Sequence, residues 1–440
     1  MSRAATPTRT PVAILGAGLT GMSAAIELAR CSVQHRIFEK LAAPGGHAVT
    51  IEDNGFRFDR TGHLLHLKSD ALRARVLDWI GPDHLQIQRR SVIWSNGVYT
   101  RYPFQANTFG LPPEVAFECV QGFIAAHFRE PKPVTTNFEE FCLSHFGAGI
   151  SRHFMIPYNS RLWGVHPREI TSSWCQRFVP LPRLEDVIAG AVGLNDRELG
   201  YNANFIYPRL GIGELARGMA RHVPLLELER SPSRIELAGR RLIFEDEQVD
   251  FDVLLSTIPL PKLIGLIDEV PDRVREATAK LRCSHLDYLD VALRRPSGKD
   301  FHWAYVPEAK YPFYRVGCYS HFSPALAPPG KSSLYVELAS RDVPDLSRLL
   351  PEVARGLIEM GVIDSADDIE FARARRIDFA YVIFDHEYFA ALDVIRPFLE
   401  EARIVSSGRY GDWNYSAMED AILFGEAAAG RAIALRGTTA

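Results

Sequence analysis

Hydrophobic positions along the chain change period several times, and each change marks an element. Val12–Leu15 is a continuous apolar run, as a strand buried on both faces requires. Met22, Ala25, Ile26 and Ala29 follow at helical spacing, and His35–Lys40 (HRIFEK) reads as a second strand. GFRFD, from Gly55, is a short strand, and SVIWSNGVYTRY alternates as a hairpin turning at Asn96-Gly97. Pro112-Pro113-Glu114 signals a helix start, and PEVAFECVQGFIAAHF and NFEEFCLSHFGAG continue with helical periods. Asp252–Ile267 (DVLLSTIPLPKLIGLI) is another apolar strand, ending in a proline-punctuated loop. HLDYLDVALRR and SSLYVELAS alternate like strands of an antiparallel sheet, with a helix expected at Asp345–Met360. EARIVSS is a last strand, turning at Gly408-Arg409 into a helix from about Ala417.

The first change of period carries chemistry. Gly16, Gly18 and Gly21 form GxGxxG between a buried strand and a helix: one glycine for the sharp turn, one for backbone approach to a pyrophosphate, one for packing helix on strand. Glu39, at the end of the second strand, stands 23 positions after Gly16, where a carboxylate can accept from ribose hydroxyls. Gly45-Gly46 makes a second close backbone approach, and the C-terminal strand, Gly408-Arg409 turn and helix supply a further helix end. Together these pieces match the FAD arrangement of glutathione-reductase-like and amine-oxidase-like flavoproteins. No second GxGxxG follows an apolar strand, since Gly211-Ile212-Gly213 lacks one, so NAD(P)H as a reductant would bind beside the flavin.

A fingerprint at one end and its closing strand and helix at the other make the FAD domain discontinuous. The expected fold is α/β: a Rossmann-like, glutathione-reductase-like FAD domain over 1–70, 205–275 and 400–440, a mostly helical insert over 106–204, and an antiparallel substrate-binding sheet over 71–105 and 276–399. The length of 440 residues agrees with several cores rather than one. With 50 basic against 54 acidic side chains, the net charge of −4 gives no general attraction to nucleic acid or membrane. Six scattered cysteines without a CxxC pair read as thiols of a reducing compartment. The start is polar and proline-broken, and no uncharged apolar run reaches the ~18 residues of a membrane span, so a cytoplasmic location is expected.

Aromatic, amide and arginine side chains recur beyond the fingerprint. RYPFQANTFGLPPE carries Tyr102, Phe104, Gln105 and Asn107; IPYNSRLWGVHPREITSSWCQRF carries Tyr158, Asn159, Trp163, Trp174 and Arg177. FHWAYVPEAKYPFYRVGCYSHFS carries Trp303, Tyr305, Tyr314 and Arg315, RIDFAYVIFDHEYF carries Tyr381, and GRYGDWNY carries Arg409 and Tyr415. Arginine forks and tyrosine hydroxyls suit a diphosphate. Taken singly, each such tyrosine is ordinarily core and each arginine ordinarily a solvated charge, and spacing does not bring them together.

YPFQAN with LPPE, PYNSRLWGVHPREITSSW, WAYVPEAKYPFYR and FDVLLSTIPLPKL, in this order, resemble UDP-galactopyranose mutase, in its larger eukaryotic-type branch. The resemblance implies an isomerase that interconverts the pyranose and furanose rings of a UDP-sugar such as UDP-galactose, without net redox change. On the same resemblance FAD would be active in its reduced form, with its N5 as nucleophile at the anomeric carbon. It further implies a helical insert and a six-stranded sheet beside the FAD domain. Carried over by motif, His63, Arg177 and Arg315 are the catalytic candidates, with His63 over the flavin face and the two arginines on the diphosphate. Tyr102, Phe104, Gln105, Asn159 and Trp163 would form the uridine pocket, and Asn202, Trp303, Tyr305, Tyr381 and Tyr415 would meet the rest of the substrate. Gly62 and Arg409 would lie on the flavin side. No metal is expected, since His63 and His66 lack further ligands.

Three positions depart from the family pattern: Thr61 stands where a glycine is usual, Glu419 where an amide is usual, and the Arg177 segment is one residue shorter. Two other classes compete. An amine-oxidase or desaturase-type oxidoreductase would share the flavin motifs but would not need the aromatic-amide pocket and two arginines. A flavin-fold scaffold without activity would not need Glu39 and His63 intact. The basic run Arg373, Arg375 and Arg376 reads as a solvated strand edge or as a contact for an NADPH phosphate.

Overall fold

The computed structural model describes residues 7–175, 179–194, 204–339 and 345–437 of the 440. Strand Thr8–Leu15 sits between His35–Phe38 and Gln248–Ser256, parallel to both. Ile404–Ser406 adds in parallel beyond Gln248–Ser256, with Leu254 opposite Ile404. The long sequence separation predicted from the two ends of the chain is therefore closed by backbone hydrogen bonds. Val12 to Leu15 are all buried: Val12 and Ile14 join one apolar core, and Ala13 and Leu15 join a second to which helices Leu260–Leu266 and Tyr388–Glu401 contribute. Helices Leu19–Arg30, Gly213–Ala220 and Met418–Gly437 share one apolar core, in which Met22, Leu28, Leu215, Met219, Ile422 and Ala429 meet.

Among the described residues the second sheet has seven strands, where the resemblance implies six. Its order is Ile369–Val382, Cys283–Leu293, Ser332–Leu338, Phe313–Cys318, Trp303–Tyr305, Ser91–Ser95 and Val98–Arg101. Neighbours are antiparallel except Trp303–Tyr305 with Ser91–Ser95. Its last strand, Val98–Arg101, is the return arm of the hairpin expected at Asn96-Gly97. Both turn residues have left-handed φ, 54° and 75°, as a two-residue hairpin turn demands. The stretch assigned from sequence to this sheet joins it only from Ser91. Helix Asp70–Ile80 instead buries Leu72, Val76 and Trp79 in the core of the Rossmann unit, and His84–Gln88 pairs with Asn204–Pro208.

The helical insert shares an apolar core with residues of both sheets. Helix Pro113–His127 starts with proline at its first position, as predicted, and packs on Phe138–Ile150, which passes through a π-helical turn into Ile156–Trp163. Arg161 fixes the insert to the sheet: its guanidinium donates to the carbonyls of Glu308 (2.9 Å), Tyr311 (2.7 Å) and Phe313 (2.6 Å). The far helix of the sheet domain, Leu346–Glu359, is capped by the side chain of Asp345, within one residue of the expected bounds at each end.

Candidate active site

The glycine fingerprint folds into a backbone cradle. Gly16 takes φ 93° and donates its N–H to the Phe38 carbonyl, 2.8 Å away. A Cβ at Gly21 would lie 1.9 Å from the Gly16 carbonyl oxygen, so only glycine allows helix Leu19–Arg30 to begin this close to the strand. Gly45 bridges to Gly18, and its N–H donates to Ala17 O at 2.8 Å, which seats the second glycine pair against the first. The helix starts at Gly18 with no side-chain cap and no acidic residue in its first turn, leaving its N–H groups for an anion. The buried Glu39 carboxylate accepts from Ala17 N (2.8 Å) and Leu41 N (2.9 Å). Those bonds fix its orientation and leave lone pairs for ribose hydroxyls. The cradle fits the pyrophosphate and ribose of a dinucleotide.

His63 and Arg409 stand beyond the cradle. Burial pushes the His63 imidazole down to about 4, and the positive charge of Arg409 acts in the same direction, so the ring is neutral at neutral pH. Its Nδ1 is buried near the backbone of Arg60 and Thr61, without a well-formed hydrogen bond among the described residues. Arg409 is held by the carbonyls of Ser416 (2.6 Å) and Ala380 (2.9 Å) and lies 4.7 Å over the Tyr415 ring. Glu419, the second departure from the family pattern, turns away from this space. Its carboxylate accepts from the backbone N–H of Lys68 (2.9 Å) and Ser69 (3.0 Å) at the start of helix Asp70–Ile80. His66 is engaged with Asn204 O at 3.0 Å, and among the described residues no three His, Cys, Asp or Glu groups are placed to hold a metal ion.

Cross-strand register explains the convergence that spacing left open. Tyr305 pairs with Arg315, and Arg315 with Glu337; Trp303 pairs with Gly317, and Gly317 with Tyr335. Because side chains two apart share a face, these residues form one lattice on the sheet. Arg315 makes a two-pronged bond to Glu337 (2.8 and 2.6 Å) and donates to the Tyr381 hydroxyl at 3.2 Å. Burial raises the Tyr381 phenol above its ordinary range, so it stays a neutral donor. Tyr381 and Tyr415 lie 6.1 Å apart, and Trp163 sits 5.6 and 5.9 Å from them. Next along the sheet, Tyr102 stacks on Tyr305 at 5.1 Å, with Arg89 over the Tyr102 ring at 4.9 Å and Tyr158 edge-on to Tyr305.

The other candidates are placed less openly. Phe104 is fully buried and stacked on Phe154, so it supports the Tyr158 ring from below rather than offering a free face. Gln105 donates its amide to Pro180 O (2.8 Å) and Asn159 to Met155 O (2.7 Å); each bond uses the nitrogen and leaves the amide oxygen as acceptor. Asn107 donates to Pro103 O and closes its own turn. Arg177 and Asn202 lie outside the described residues. Arg373, Arg375 and Arg376 pair with Asp53, Asp290 and Asp287 along the edge strand.

A family model described as an NAD(P)-binding Rossmann-like domain matches residues 14–78. A crystal structure of reduced UDP-galactopyranose mutase is 26% identical and covers 98% of this chain and 94% of its own, with a TM-score of 0.90. The chain has the UDP-galactopyranose mutase fold. Its glycine cradle and Rossmann-like unit suit a dinucleotide such as FAD, and the same fold is seen in amine oxidases. A protein provisionally named protoporphyrinogen oxidase, from Exiguobacterium sp. 255-15, matches at 14% identity over 97% of this chain and 98% of its own, TM-score 0.71. Putrescine oxidase bound to putrescine matches at 14% over 98% and 100%, TM-score 0.66; these two share the fold alone.

Within this mutase fold, sequence reading missed Glu337, Arg89 and His47. Glu337 carried a signal: it is a charged residue at a fully buried position of an apolar strand. His47 lies one residue past the paired glycines and is T-shaped against Tyr410 at 5.4 Å; burial, and then His63, push it down to about 3.

Proposed function

We propose that this chain is a flavin-dependent nucleotide-sugar mutase that interconverts pyranose and furanose rings, with a UDP-hexose such as UDP-galactose as substrate. The observation that carries the reading is the adjacency of the Tyr102–Tyr305 stack to the Arg315–Tyr381–Tyr415 group on one sheet face. A planar base and a diphosphate need those two groups side by side. The reduced flavin, when bound, supplies the nucleophile at the anomeric carbon. Everything else falls to the protein.

The departing nucleoside diphosphate gains negative charge and must stay for recombination. Arg315, steadied by Glu337, and the neutral Tyr381 hydroxyl meet that charge; an assigned partner, Arg177, would complete the clamp. Charge-assisted bonds of about 1.5–3 kcal/mol each are of the size needed. His63, neutral, can donate to or accept from a flavin in its anionic reduced state without adding fixed charge. NAD(P)H as the reductant belongs to the same reading.

The test is anaerobic. The purified yellow protein is reduced with dithionite and given UDP-galactofuranose, with the oxidised protein as control. UDP-galactopyranose formed only by the reduced protein supports the mutase reading. No product, with oxygen consumed on addition of amines, replaces it with an oxidase. No reaction in either assay rejects UDP-galactose as the substrate.

A further inference from the structure

The turn that carries His63 is held by a residue of the other sheet. Tyr319, fully buried after strand Phe313–Cys318, donates its hydroxyl to Asp59 O at 2.6 Å and accepts from Thr61 N at 3.1 Å. One oxygen therefore bridges both sides of Arg60. Thr61 has φ 66°, a left-handed conformation that a β-branched residue adopts only when its surroundings impose it. Its neighbour is fixed as well: a Cβ at Gly62 would lie 2.6 Å from the Tyr335 hydroxyl. The Asp59 side chain anchors the entry to the turn from the opposite side, accepting from Thr50 Oγ1 (2.6 Å), Tyr207 Oη (2.5 Å) and Ile212 N (3.2 Å).

We propose that Tyr319 is a positioning residue for the flavin site: its hydroxyl imposes the strained Thr61 turn and thereby sets where the His63 imidazole stands relative to the cofactor. The inference rests on the reading of His63 as the group over the flavin, and not on mutase turnover. The phenol is suited to the task because burial raises it well above its ordinary range and keeps the proton that Asp59 O accepts. The flanking rings Phe58 (6.0 Å) and Tyr335 (5.0 Å) fix the ring plane. A phenylalanine would fill the same space and lose both bonds at once.

The experiment compares Tyr319→Phe, His63→Ala, the double variant, Thr61→Gly, and Thr61→Gly with Tyr319→Phe, all as flavin-loaded protein. The readouts are the midpoint potential and visible spectrum of the bound flavin, turnover of the reduced enzyme, and the thermal midpoint. Expected is a potential and spectral shift in Tyr319→Phe of the same sign as in His63→Ala, with no further shift when the two are combined. Turnover falls about tenfold to a hundredfold, as for a misplaced group. In the Thr61→Gly background, where the turn carries no strain, Tyr319→Phe leaves the potential where Thr61→Gly alone puts it.

A lower thermal midpoint with an unmoved potential and spectrum overturns the proposal and leaves Tyr319 a merely structural residue. Additive shifts from Tyr319→Phe and His63→Ala overturn it too, as does an unmoved potential in His63→Ala. If Tyr319→Phe alone does not fold, the Thr61→Gly pair carries the comparison, and failure of that pair to fold counts against the proposal. A wild type without mutase turnover that still shows the non-additive potential shifts rejects the mutase reading and keeps this one.

Discussion

Arg315 and Glu337 face each other across neighbouring strands, joined by two bonds of 2.8 and 2.6 Å, with the carboxylate wholly buried. The pairing makes the arginine a fixed fork rather than a swinging charge. Arg315→Ala is expected to lower kcat about 10²–10³-fold, and Arg315→Lys to recover little, because a point charge cannot hold Glu337 and a diphosphate together. Glu337→Ala strands a largely buried guanidinium and is expected to cost about 3–5 kcal/mol in urea unfolding. Wild-type turnover in Arg315→Ala would remove the arginine from the site.

The glycine cradle gives the sharpest steric forecast. Gly21→Ala places a methyl group 1.9 Å from the Gly16 carbonyl, so the strand and helix must separate. The variant is expected to purify colourless, read as the ratio of visible flavin absorbance to protein absorbance. Full flavin content would mean the pyrophosphate lies elsewhere.

Tyr102 contributes one of the two stacked rings and touches no reacting atom in the proposed mechanism. Tyr102→Ala should weaken UDP binding about two- to twelvefold, the worth of one aromatic contact of about 0.5–1.5 kcal/mol, with kcat nearly unchanged. Calorimetric titration with UDP measures the first, and a KM rise at constant kcat the second. A fall in kcat alone would move Tyr102 into the chemistry.

Stability will depend on pH through groups of opposite sign. Burial pushes the Asp59 carboxyl up to about 7, outweighing its three donors, while it pushes His63, His66 and His302 down to about 4. Between pH 4 and about 6.5 the unfolded chain binds more protons at the histidines, so they lose stability as pH falls. Between pH 4 and about 7 the folded chain binds more at Asp59, so that carboxyl loses stability as pH rises and partly offsets them. Asp59→Asn removes the offset. The slope of unfolding free energy against pH should steepen toward acid by up to about 1.4 kcal/mol per pH unit. An unchanged slope between pH 4.5 and 6.5 would mean Asp59 is ionised in the fold.

The parts of this architecture legible in the sequence are those with local causes. The fingerprint strand, the Asn96-Gly97 turn, the proline-started helix and the Asp345-capped helix each follow from a few adjacent residues. The attachment of Leu72, Val76 and Trp79 to the Rossmann core was hidden, because an amphipathic helix does not state which apolar face it meets. The site divides in the same way. Gly16, Gly18, Gly21 and Glu39 could be placed by spacing alone, whereas Arg315, Tyr305 and Glu337 meet only through the register of three strands, and no spacing along the chain encodes a register. Phe104 and Gln105 look alike in sequence to exposed pocket residues, yet their neighbours Phe154 and Pro180 enclose them.

The late position of Ile404–Ser406 and Arg409 in the chain has a biosynthetic consequence. A ribosome makes the glycine fingerprint first, but the strand that completes its sheet and the arginine beside its histidine emerge almost 400 residues afterwards. At about 5–20 residues per second, the nascent chain spends tens of seconds with half of this site, and the Leu254–Ser256 edge waits roughly 7–30 s of that for its partner strand. The Rossmann sheet around the fingerprint is therefore complete only once Ile404–Ser406 has paired with Gln248–Ser256.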